Sequence, residues 1–223
     1  MEHSRKRQLS EISSSSEPSN KIRRIMSCLP PRLEEQESNK NTSPKEFLLE
    51  RMTARGIKVE MKDTLSVKDF FEDPTDEEID AYDRTALDAI RKEDIDELRR
   101  FQSMGRPLKC SNRFGESLLH LACRKGLLSV ASFLVKEAGV TVRVRDDYGR
   151  TPLHDACWTH SPNFCLVELL LEECPELLFM SDRRGHSPLC YARQQQWPAW
   201  VRFLKEREQD LVPNISSVAI AVQ

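Results

Sequence analysis

Between residues 80 and 206, short apolar stretches at helical spacing alternate with polar, glycine-bearing connections. In Cys165-Leu-Val-Glu-Leu-Leu-Leu171, the side chains of Leu166, Leu169 and Leu170 share one helical face, and Val130, Phe133 and Leu134 repeat the pattern upstream. Trp197, Trp200, Val201 and Leu204 do the same near the end. Shorter helices entered through a hydroxyl residue precede the long ones: Ser117 opens one to Lys125 that Gly126 stops, and Thr151-Pro152-Leu153-His154 opens another. Further upstream, Ser43 is placed to cap a helix, Pro44 suits its first turn, Glu46 completes a capping box, and Gly56 ends it, with Phe47, Leu48 and Met52 supplying an apolar side. Residues 1–42 have no such periodicity. They are rich in Ser, Glu, Lys, Arg and Pro, which leaves too little apolar surface to offset ordering entropy, so a disordered tail is predicted.

A longer period underlies the helices. Leu87, Leu119, Leu153 and Leu189 mark the boxes Thr85-Ala-Leu-Asp88, Ser117-Leu-Leu-His120, Thr151-Pro-Leu-His154 and Ser187-Pro-Leu-Cys190, separated by 32, 34 and 36 residues. Over residues 80–206 the chain resembles the ankyrin-repeat family, whose period is about 33 and whose Thr-Pro-Leu-His box recurs here. The resemblance implies an all-α fold, an ankyrin-repeat solenoid of about four helix pairs with connecting hairpin loops, in which each repeat buries apolar surface only against its neighbours. In such a box the His is expected to hydrogen-bond locally and tie neighbouring repeats, while Cys123 and Cys157 fall at small, buried positions. The organisation that follows is a tail over 1–42, a linker with a short helix and an acidic segment over 43–79, repeats over 80–206, and a C-terminal tail over 207–223.

Departures from the pattern mark the ends. Asp88 closes the first box and polar Arg91 follows Ile90, as suits a capping repeat; in the fourth, Cys190 stands where His is expected and Gln194-Gln195-Gln196 fills the turn. Trp197, Trp200, Val201 and Leu204 are expected to seal the last interface, and Cys174-Pro175-Glu176 lengthens the third loop. The tail Leu211 to Gln223 is apolar and β-prone, which favours packing or a partner over free solvation.

The formal charge of -2, from 34 basic and 36 acidic residues, supplies no global field for nucleic acid or an anionic membrane. Seven cysteines without a CxxC pair suit a reducing compartment, and no run approaches the roughly 20 apolar residues of a membrane span. Arg5-Lys6-Arg7 and Lys21-Ile-Arg23-Arg24, thirteen residues apart, resemble a bipartite nuclear import signal, with a solvated tail as the plainer reading. Ser10, Ser13, Ser14, Ser15 and Ser16 lie between them as phosphorylation candidates whose added charge would offset the basic clusters. The expected localisation is the nucleus, the cytoplasm or both.

Catalytic chemistry finds little support. The two HxxC pairs His120/Cys123 and His154/Cys157 have the residue types of a zinc site or a Cys-His nucleophile, but they occupy repeat positions and no third group orients a base. There is no Gly-rich phosphate loop, HExxH or GxSxG. The expectation is a monomer without cofactor, metal or enzymatic activity, which binds neither specific nucleic acid nor membrane.

By the same resemblance a partner protein lies across the hairpin tips and the exposed ends of the first helices. Carried over copy by copy, the tips are Asn112, Arg113, Phe114 and Glu116, then Asp147, Tyr148 and Arg150, then Arg183, Arg184 and His186; the first-helix positions are Arg124 and Lys125, Trp158 and Thr159, and Gln194 and Gln195. Phe114, Tyr148 and Trp158 are aromatic where the repeat does not demand it, and the surrounding arginines suit an acidic partner surface. The segment Asp69 to Asp83 carries eight acids and no base. It reads either as an acidic, hydrophobic interaction motif or, through Thr75 and Glu78, as a second capping box, and it could occupy the basic surface in cis. The two functions in view are a protein-binding adaptor or regulator, and a nuclear transcription regulator that uses the basic tail and the acidic segment.

Overall fold

The computed structural model describes residues 42–67 and 69–208. The expectations placed on residues 1–41 and 209–223, namely the disordered tail, the import clusters, the phosphorylatable serines and most of the apolar C-terminal tail, lie outside the described residues. Two helices precede the repeats: α1, Pro44–Ala54, and α2, Asp76–Asp80. Each begins with a capping box. The Ser43 amide donates to Glu46 at 3.1 Å while the Glu46 amide donates to the Ser43 hydroxyl, and Thr75 and Glu78 exchange the same pair of bonds. The capping reading of the acidic segment therefore holds.

Four repeats follow. Helix α3, Arg84–Lys92, pairs with α4, Ile95–Ser103; α5, Leu118–Lys125, pairs with α6, Leu128–Ser132, which runs on into a π-helical turn over Phe133–Glu137. Helix α7, Pro152–Cys157, pairs with α8, Phe164–Glu173. In the fourth repeat the first helix shrinks to the 3-10 turns Pro188–Tyr191 and Gln194–Gln196 before α9, Trp197–Glu206. Leu119, Leu153 and Leu189 are all buried, and the successive first helices pack on one another, so the recurring leucines form the continuous core the period requires.

The boxes explain why the repeats stack. In the second repeat the His120 Nδ1 accepts from the Ser117 amide at 3.1 Å, which places the imidazole proton on Nε2, and Nε2 donates to the Arg150 carbonyl of the next repeat at 3.0 Å. His154 does the same with the Thr151 amide and the His186 carbonyl. Each imidazole thus caps its own helix and pins the following hairpin. Cys190 approaches only the Ser187 hydroxyl, at 3.5 Å, and it is here that the first helix is reduced to a 3-10 turn.

The first repeat differs by one residue from the leucine marker. Ala86 is fully buried and Leu87 only partly, because Asp83 caps the helix: its carboxylate accepts the Ala86 amide and draws in Thr85 and Arg106. The left-handed residues that close α3 and α5, Glu93 and Gly126, lie 33 positions apart by subtraction. Ala86, not Leu87, is therefore the counterpart of Leu119.

The far end of the stack is covered by helix α1. It packs on α9 and on the Pro188–Tyr191 turn, burying Leu48 and Met52, and both Arg51 and Arg55 pair with Glu208. Trp200, Val201 and Leu204 are buried as expected, but the fourth repeat does not end the solenoid by itself. From α1 the chain runs back along the repeats as a strap. Its strand β1, Lys62–Asp63, pairs in parallel with β2, Met180–Ser181, with Lys62 opposite Met180 and Asp63 opposite Ser181. This two-residue pair and an isolated antiparallel bridge between Ser111 and Ser117 are the departures from an all-α description among the described residues.

Candidate protein-binding surface

Three hairpin tips are built alike. The side-chain oxygens of Asn112, Asp146 and Asp182 each accept two backbone amides across the turn, from Phe114 and Glu116, from Tyr148 and Arg150, and from Arg184 and His186. A glycine with positive φ closes each turn: Gly115, Gly149 and Gly185. The tips are then joined in a row. Asp147 donates its amide to the Phe114 carbonyl at 2.9 Å, and Arg183 donates to the Tyr148 carbonyl at 2.8 Å. Phe114, Tyr148 and Arg184 therefore stand at equivalent positions on consecutive, mutually fixed loops.

The aromatic members of this row face water. Phe114 is 51% and Tyr148 59% exposed, and Trp158, at the end of helix α7 and outside the row, is 46% exposed. The guanidinium of Arg113 lies 4.7 Å from the Phe114 ring centre and that of Arg150 lies 5.2 Å from Tyr148, so each ring carries a cation on its face. Arg113, Lys125, Asp147, Arg183, Arg184, His186, Gln194 and Gln195 are exposed. Among the described residues Arg113 and Arg183 have no ion-pair partner, whereas Arg184 reaches Tyr191 at 2.8 Å and Asp182 at 3.5 Å.

Several residues placed on this surface serve the framework instead. Thr159 is buried, its hydroxyl turned onto the carbonyls of Ala156 and Ser161, so its selection as a contact is corrected. Arg124 bridges Glu116 and Asp155 across two repeats, and Arg150 is clamped to Asp146, which ties down Glu116 and both arginines. Burial holds the Asp155 carboxyl above its usual range, and the Arg124 charge opposes that shift. Asn112 spends its side chain on its own turn. Burial also pushes the Cys123 and Cys157 thiols up, and both ring nitrogens of each neighbouring His are engaged, so the HxxC pairs are packing groups. Among the described residues no cluster of three or more His, Cys, Asp or Glu is arranged to hold a metal, and no helix is long and apolar enough to cross a membrane.

The acidic segment does lie in cis against basic residues, but against Lys109 and Arg145 beside the tips and not the tip arginines, and the course of the strap that leads into it was not read from the sequence. The Thr64 amide donates to the Ser181 carbonyl and its hydroxyl to the Gly149 carbonyl; the Glu72 amide donates to the Arg143 carbonyl. Lys109 pairs with Glu72 and Glu78, and Arg145 with Asp73. Arg143 and Arg145 lie over Phe70 and Phe71, at 4.9 and 5.3 Å from the ring centres. A clue lay in Lys109, Arg143 and Arg145, basic residues just before the tips. The cavity between strap and repeats, bounded by Glu78, Lys109, Ser111 and Arg145, holds about 20 Å³. That is room for about one water molecule, far below the ~300 Å³ of a small-molecule site.

Comparison with known proteins places the same residues in context. Residues 86–176 match the family model for ankyrin repeats, in three copies. Similar proteins include the human SMC5-SMC6 complex localization factor protein 1, 34% identical over 79 residues, which are 35% of this chain and 7% of that protein. The probable 26S proteasome regulatory subunit p28 of Saccharomyces cerevisiae is 34% identical over 103 residues, 45% of this chain and 44% of its own. Human B-cell lymphoma 3 protein is 35% identical over 113 residues, 50% of this chain and 24% of its own. The chain thus spans less than half the length of each of these relatives.

Proposed function

Because residues 86–176 are three ankyrin repeats, the chain belongs to the ankyrin-repeat family, and from that premise we propose that it is a non-enzymatic adaptor or regulator whose hairpin tips hold a partner protein. Ankyrin repeats form a protein-interaction module; the finer assignment rests on one observation. Phe114 and Tyr148 stay exposed on loops locked to one another by backbone hydrogen bonds, and Trp158 stays exposed at the end of helix α7. Large exposed aromatics on a rigid scaffold are the anchors that binding hot spots use, since little entropy is lost when they are covered. Arg113, Lys125, Arg183 and Arg184 around them favour an acidic partner surface. The chain acts as a monomer in the nucleus, the cytoplasm or both.

The transcription-regulator reading draws less support. It needs the acidic segment free to reach another molecule, yet Glu72, Asp73 and Glu78 are paired with Lys109 and Arg145. Affinity capture with the full chain tests the proposal. Phe114→Ala, Tyr148→Ala and Trp158→Ala together, or Arg113→Glu with Arg184→Glu, leave the fold intact and remove the proteins that the unaltered chain retains. Equal recovery by all three chains refutes the assignment to the tips.

A further inference from the structure

The strap is held by chemistry that belongs to a peptide of a certain kind. Along the hairpin edges three carbonyls, of Arg143, Gly149 and Ser181, receive donors from it, and three cations, Lys109, Arg143 and Arg145, receive carboxylates or aromatic faces. Phe70 and Phe71 stack edge to face at 4.8 Å, and Phe71 is buried. We propose that this edge is a binding groove for an extended acidic peptide carrying paired aromatics, and that the strap from Lys62 to Thr75, with Glu78 in the first turn of α2 behind it, is its intramolecular occupant. The inference rests on reading the repeats as a protein-binding module, but it concerns a second surface, beside the tips and not on them.

Three features support a groove with an exchangeable occupant over a fixed part of the core. Among the described residues between Ile57 and Pro74, only Thr64 and Phe71 are buried, while Phe70, Val59, Met61 and Val67 are partly covered. A segment with so little burial opens at a lower free energy than the repeats. Its contacts are also generic: backbone amides, a hydroxyl, three carboxylates and two rings are groups that any segment of that composition supplies. The edge carbonyls choose the class of ligand as well. Those of Arg143 and Ser181 accept backbone N–H donors and that of Gly149 accepts a hydroxyl; a phosphodiester backbone lacks N–H groups, so it would satisfy the cations while leaving the Arg143 and Ser181 carbonyls unmet. A tethered occupant acts at an effective concentration of about a millimolar, so a partner of equal intrinsic affinity competes only once the strap is weakened.

The test uses the full chain and a fluorescein-labelled peptide copying residues 62–78. In a strap-weakened chain, Phe71→Ser with Glu72→Lys and Asp73→Lys, peptide binding rises at least about tenfold over the unaltered chain and weakens with salt. Adding Lys109→Glu and Arg145→Glu abolishes the gain. No gain in a weakened chain whose circular dichroism is unchanged overturns the proposal, as does a gain that survives the reversals or equal displacement by polyphosphate. Hydrogen exchange on the unaltered chain provides a second readout that needs no variant. The amides of Thr64 and Glu72 exchange faster than the hydrogen-bonded amides of Ala131 and Val167 in the repeats, and equal protection would refute an occupant that can leave. The Phe114, Tyr148 and Trp158 substitutions leave peptide binding unchanged, so failure of the tip assignment and failure of the groove are separable.

Discussion

Helix α1 lies outside the repeats, yet it carries Met52, which is 0% exposed and points into the same core as Trp200 and Leu204. Met52→Ala removes most of that side chain. Large-to-small changes in a core lose about 2–5 kcal/mol, and the value falls toward the lower end where the site can relax. A terminal helix can relax, so a loss of about 2–3 kcal/mol is expected. The loss also has a ceiling, since once α1 undocks, Leu48→Ala removes a contact that is already broken. The double variant should therefore lose much less than the sum of the singles. Urea unfolding followed by tryptophan fluorescence reads this, because Trp197 and Trp200 belong to α9, the helix on which α1 packs. With a slope of ~2 kcal/mol per molar, the midpoint moves by about 1 M, and the emission of the folded state shifts red as Trp200 gains water. A midpoint within about 0.2 M of the unaltered chain, an unshifted emission, or full additivity of Met52→Ala and Leu48→Ala would refute the docking of α1.

Three further outcomes follow from the geometry. Burial lowers the His154 pKa from 6.5 to about 4, so the unfolded chain binds the extra proton between those values; its stabilising contribution is intact above pH 6.5 and is lost as pH falls toward 4, by about 3 kcal/mol in all. Chemical unfolding from pH 7 to pH 4.5 should show a decline that His154→Asn flattens, and an equal slope in both chains would count against it. Gly149 and Gly185 share a positive φ, but a Cβ on Gly149 would meet the Thr64 hydroxyl at 2.2 Å whereas Gly185 has open space. Gly185→Ala should lose about 1 kcal/mol and Gly149→Ala measurably more, with Thr64→Ala narrowing the gap; equal melting temperatures would show that the strap does not press on the tip. Cys190 is exposed, while Cys123 and Cys157 are buried with raised pKa values, so Cys190→Ser should remove one equivalent of the thiol that reacts quickly with a disulfide reagent in native buffer. An unchanged fast equivalent would place the reactive thiol elsewhere.

What the amino-acid order made legible was local. Capping boxes at Ser43 and Thr75, the glycine stop at Gly126 and the boxes around Leu119 and Leu153 depend on residues three or four apart, and all reappear in the structure. The one-residue slip in the first repeat arose because a leucine was taken as the marker, when the helix entry was decided by Asp83, whose carboxylate outcompetes Thr85 as cap. At the proposed surface, exposure of Phe114, Tyr148 and Trp158 followed from repeat position, whereas the inward turn of Thr159 depended on two carbonyls of its own loop.

The pairing of β1 and the docking of α1 were beyond such reasoning, although the charge of the acidic segment had pointed to a basic surface in cis, because their partners are remote: the Ser181 hydroxyl donates to the Lys62 carbonyl across 119 residues, and Arg51 meets Glu208 across 157. No periodicity records a contact of that kind. Its consequence is mechanical. A solenoid stabilised only by neighbouring repeats can fray from either end, but here the segment N-terminal to the array covers its last repeat and returns along the hairpins to its first. Loosening either anchor should therefore be felt at both ends.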